Sequence, residues 1–93
     1  MADHYRVVDD TTKTVLFEID EDGWKALDWM MEHIDDFTDL HEVYTELWED
    51  ENMGGWWSAQ DLLEENPDGY WLPGGTVKLV LNDDGETYRR EEA

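Results

Sequence analysis

The chain has 93 residues, of which 26 are Asp or Glu and 6 are Lys or Arg, giving a formal net charge of −20. That balance excludes a surface that neutralises nucleic-acid phosphates directly, and it disfavours docking on an anionic membrane. There is no cysteine, hence no disulfide, thiolate metal site or thiol nucleophile.

No apolar run reaches the ~18 residues of a membrane span, and no signal-like segment is visible. A single soluble domain over residues 1–93, cytoplasmic in location, is therefore expected. Leu, Ile, Val and Phe supply only 19 residues, close to the ~20% level below which a highly charged chain often stays unfolded. Six Trp and four Tyr offset this shortage, because each buried ring removes roughly 150–250 Å² from water.

In chain order, Tyr5 to Val8 and Lys13 to Ile19 are rich in β-branched and aromatic residues. The turn-forming run Asp9-Asp10-Thr11-Thr12 between them predicts a β-hairpin. The period then changes. Trp24, Leu27, Met30, Met31, Ile34 and Phe37 share one side of a helix over residues 21–37. Leu40, Val43, Tyr44, Leu47 and Trp48 then follow the i, i+3, i+4, i+7, i+8 rule, predicting a second helix capped by Thr38 and running to Asp50. Residues 51–57 read as a loop. Ser58 to Asp61 has the form of a capping box that opens a short third helix, which must stop before Pro67. Pro67-Asp68-Gly69 and Pro73-Gly74-Gly75 are turns. Thr76 to Leu81 alternates as a strand, Asn82-Asp83-Asp84-Gly85 turns, and Glu86 to Arg90 returns. Arg90 to Ala93 is expected to fray. The implied class is α+β in the order ββαααββ, with two hairpins in one antiparallel sheet and the helical middle packed on one face.

The carboxylates fall in rows on these helices. Glu21, Asp28, Glu32, Asp35 and Asp36 lie along one side of the first, with Trp29 beside them as a candidate anchor for a basic surface. Asp39, Glu42, Glu46, Glu49 and Asp50 form the row on the second, and Glu64 and Glu65 extend it on the third. Like charges at i, i+4 destabilise a helix by about 0.2–0.5 kcal/mol per pair, and solubility needs a net charge of only about 2–8. The excess therefore points to a basic partner or to a very salty cytoplasm.

Other chemistry is poorly represented. His33, Asp36 and His41 match no zinc spacing and read as surface residues. Asp83-Asp84-Gly85 lacks the remaining ligands of a calcium loop. No phosphate loop, nucleophile elbow or serine–histidine–acid framework occurs, so neither cofactor, metal nor enzymatic activity is expected.

In size and in its rows of Asp and Glu, the chain resembles the small acidic DNA-mimic inhibitors of phages and mobile elements, among them anti-restriction and anti-CRISPR proteins. The resemblance implies a non-enzymatic inhibitor in the DNA-binding groove of a host restriction enzyme or CRISPR–Cas surveillance complex. Its partner would be a basic DNA-binding protein or nucleoprotein complex, with no direct contact to nucleic acid or membrane, and the protein would act as monomer or homodimer. Two other readings stay open: a halophile-adapted acidic domain, and a regulatory module that binds a basic protein.

Overall fold

The computed structural model describes residues 4–20, 23–49 and 52–92. Strands β1 (His4–Asp9) and β2 (Thr14–Ile19) form the expected first hairpin. Its turn is held by the Asp9 carboxylate, which accepts the backbone N–H groups of Thr11 and Thr12 at 2.9 and 3.2 Å. Helix α1 (Gly23–Glu32) follows, then a single 3-10 turn (Ile34–Asp36). Gly23 lets the Tyr5 ring lie against the start of α1, since a Cβ there would lie 2.5 Å from Cζ of Tyr5 and displace the ring.

The largest departure from expectation comes next. Residues 43–49 are a strand, β3 (Val43–Glu49), paired with β4 (Asn52–Ser58), instead of a second helix and a loop. Two physical reasons account for this. Val7 and Val8 are adjacent in β1 and both buried, so β1 is covered on both faces and belongs at the centre of a sheet, with a partner on each side. Val43, Tyr44, Thr45 and Trp48 are also poor helix formers that suit a pleated surface. Read with a period of two, Val43, Thr45 and Leu47 share a face. Thr45 is 3% exposed, and its hydroxyl donates to Sδ of Met30 at 3.7 Å. Thr38 and Asp39 shape a turn: the Glu42 carboxylate accepts from the Thr38 N–H and hydroxyl, and the Asp39 carboxylate accepts the His41 N–H at 2.7 Å.

Helix α2 (Ala59–Glu65) begins at the expected capping box. The Ser58 hydroxyl accepts the Asp61 N–H at 3.3 Å, and the Asp61 carboxylate accepts the Ser58 N–H at 3.2 Å. Strands β5 (Tyr70–Trp71), β6 (Val77–Leu81) and β7 (Tyr88–Glu92) complete the described residues. The Asn82–Gly85 turn forms, with Gly85 at φ 71°. The chain end does not fray at Arg90 as expected: β7 continues to Glu92, and Arg90 is tied to Asp35 at 2.6 Å.

The class is α+β, but among the described residues the strands form two antiparallel sheets, ordered β2-β1-β3-β4 and β5-β6-β7, with two helices. The ββαααββ order and the single two-hairpin sheet are thus corrected. Val7 and Val43 of the larger sheet, Ala26, Met30, Met31 and Ile34 along α1 and its 3-10 turn, Leu62 and Leu63 of α2, and Leu79 of the smaller sheet pack in one apolar cluster. No helix of the described residues is long and apolar enough to cross a membrane.

Candidate interaction surface

The strand in place of the second helix dissolves one predicted acidic row. Glu42, Glu46 and Glu49 no longer follow helical spacing. Glu46 is buried at 8% exposure, in register with Arg6 of β1, and takes a hydrogen bond from Tyr44. The side chain of Glu49 and all of Glu21 and Asp50 lie outside the described residues. Trp29 is not an exposed anchor. It is half-buried and stacked between Phe17, at 5.6 Å between ring centroids, and His33, at 4.0 Å. The His33 ring also contacts the Trp29 carbonyl through Nδ1 at 2.8 Å. His41 is exposed, and among the described residues no group of three or more His, Asp or Glu is arranged to hold a metal.

The remaining acids divide into two kinds. Some are used inside the fold. Asp28, half-buried on α1, accepts the Tyr70 hydroxyl at 2.9 Å, and burial together with that bond pushes the Tyr70 phenol well above its ordinary range. Asp35 pairs with Arg90 and accepts the Tyr88 hydroxyl. Asp39 and Glu42 hold the turn before β3. Others face solvent. Glu32, Asp36 and Glu65 are exposed, and no described side chain pairs with them, while Glu64 accepts only from Gln60 at 3.2 Å.

These solvent-facing acids sit where helix electrostatics disfavour them. A helix C-terminus carries a partial negative charge and favours cations. Yet α1 ends at Glu32 and runs into Asp35 and Asp36, and α2 ends at Glu64 and Glu65, with no basic residue in either last turn.

Charge is also divided along the fold. Residues 1–69, which hold the four-stranded sheet and both helices, carry 21 Asp and Glu against 3 Lys and Arg, net −18. Residues 70–93, which hold the three-stranded sheet, carry 5 against 3, net −2. Neither this division nor the exposure of Trp24, Trp57 and Trp71, at 63, 43 and 49%, was part of the predicted site. Trp24 was expected in the core, but it stands in the first turn of α1, where the apolar side is centred on Ala26 and Met30 instead. A block count of charge along the chain would have found the division. Comparison of the chain with protein-family models, with curated proteins and with solved structures found no match.

Proposed function

We propose that the protein is a non-enzymatic inhibitor that presents its acidic portion as a substitute for DNA and fills the DNA-binding groove of a host defence complex. The observation that carries this reading is the division of charge, −18 against −2, between two parts of one small fold. Acids are also dense in the shorter part, 5 in 24 residues against 21 in 69, but it holds half of the six Lys and Arg, so the larger part is left with few cations to neutralise it. Acids that merely solubilise have no reason to occupy helix ends where they cost stability. The scale is also suitable. The longest dimension is 38 Å, and that length of duplex carries about 22 phosphate charges at ~1.7 Å each. Carboxylates would pair with the Lys and Arg that otherwise hold phosphates, and the attraction would speed encounter.

The test is displacement of labelled duplex from restriction enzymes and CRISPR–Cas surveillance complexes. The protein is expected to compete with DNA, less strongly as salt rises, and reversal of Glu32, Asp36, Glu64 and Glu65 to Lys is expected to abolish competition. Undiminished competition by that variant would refute the reading. Retention on a basic protein that binds no DNA would favour the regulatory module.

A further inference from the structure

We infer that the protein forms a symmetric dimer in which β7 pairs antiparallel with β7 of a second copy, joining the two three-stranded sheets into one of six strands. Strand β7 is an edge of its sheet, since β6 lies on only one side of it. The side on which its backbone groups point follows from neighbouring bonds. The Asn82 N–H donates to the Thr87 carbonyl at 2.8 Å, and the Leu72 N–H donates to the Val77 carbonyl at 2.9 Å. Antiparallel ladders alternate bonded and non-bonded pairs. With the register of the two ladders, Arg89 and Glu91 therefore bond to β6, while Tyr88, Arg90 and Glu92 turn their N–H and C=O groups outward. Because β7 ends the sheet, the register leaves these three residues without a backbone partner among the described residues.

A two-fold axis perpendicular to the sheet at Arg90 sets Arg90 opposite its own copy and Tyr88 opposite Glu92. In that register every outward N–H meets an outward carbonyl over the whole strand. The side chains agree with the backbone. Arg89 and Glu91 share the outer face, where Arg89 donates to Glu91 of its own chain at 2.8 Å and to Asn82 at 3.1 Å. The axis places Arg89 of each copy opposite Glu91 of the other, so these charges extend across the seam as an alternating network of opposite sign. The central Arg90 residues would repel each other, but each is already bound by Asp35 of its own chain. The sequence Arg89-Arg90-Glu91 is thus complementary to itself under the symmetry that a dimer requires.

The rest of the molecule argues for this edge over the others. Two chains of net charge −20 repel, and the three-stranded sheet, with its net −2, is where close approach costs least. Strands β2 and β4, the edges of the larger sheet, lie in the portion of net −18, and the register of β2 on β1 shifts between Val7 and Val8. Strand β5 has only two residues.

Sedimentation equilibrium of the full chain at tens of micromolar and physiological salt tests the dimer. The wild type is expected at about 22 kDa, twice the 11.0 kDa of one chain. Arg89→Glu sets Glu against Glu, and Glu91→Arg sets Arg against Arg, so each variant alone is expected at the monomer mass. Mixed in equal amounts they restore both opposite-charge pairs and are expected to return to the dimer mass, an outcome that misfolded chains could not produce. Glu92→Pro removes an outward N–H that no intrachain bond uses, so it is expected to weaken the dimer while leaving the far-ultraviolet circular dichroism spectrum of the folded chain unchanged. A monomeric wild type, or a dimer that persists in both charge variants, overturns the proposal. Both variants leave the carboxylates of residues 1–69 in place, so this result is independent of competition with DNA.

Discussion

The Tyr70 hydroxyl reaches Asp28 across 42 residues of chain and ties the short strand β5 to α1. Tyr70 itself is 8% exposed, so its removal leaves Asp28 half-buried and short of a donor. A hydrogen bond to a charged group is worth about 1.5–3 kcal/mol, less where water can replace it. Tyr70→Phe is accordingly expected to lower unfolding stability by about 1–2 kcal/mol in urea titrations. The same pair gives a pH signature. Burial first, and then the bond to Asp28, raise the phenol above its usual value of 10.0, so the folded state holds the proton more tightly than the unfolded chain does. Its contribution is complete below pH 10 and is lost as pH rises beyond it. Wild type should therefore lose more stability than Tyr70→Phe between about pH 9.5 and 11.5, measured as the difference between their urea midpoints. Equal losses would mean that the phenol is not held protonated by the fold.

At the level of elements, the two helices end in the wrong charge. Replacing Glu64 and Glu65 by Gln is expected to stabilise the protein by about 0.3–1 kcal/mol at low ionic strength, with the gain shrinking in salt. The same change should weaken competition with DNA, so stability and binding would move in opposite directions in one variant. A loss of stability would show that these carboxylates serve the fold. What could be read in advance follows the range of the interactions involved. The first hairpin, the capping box at Ser58 and the Asn82–Gly85 turn depend on neighbours within a few residues, and each is present. Strand β3 depends on β1, more than thirty residues earlier, and its apolar residues fit a period of 3.6 as well as one of two until Thr45 is counted as a core residue. The site was legible to the same extent. The acids at 32–36 and 64–65 are exposed as expected, whereas Glu46 and Trp29 changed role because β3 and the Phe17–Trp29–His33 stack are tertiary facts.

For the whole molecule, the decisive quantity is the range of the repulsion that the fold tolerates. Spread over the 5793 Å² surface, 26 acids average about one per 220 Å², a spacing of about 15 Å. The Debye length is about 30 Å at 0.01 M salt and about 10 Å at 0.1 M, so it falls below that spacing within this interval. The melting temperature is therefore expected to rise between about 10 and 100 mM sodium chloride and then to level off. Folding itself is expected to survive in dilute buffer, because the core draws on both helices and both sheets. A halophile-adapted domain behaves differently: it is unfolded in dilute buffer and keeps gaining stability up to about 1 M, where the Debye length is only ~3 Å. A calorimetric melting series across this range separates the two. A plateau with a folded dilute state leaves a basic partner as the reason for the excess charge. A climb that continues to molar salt, from an unfolded start, would make the acids an adaptation to the medium and end the case for DNA mimicry.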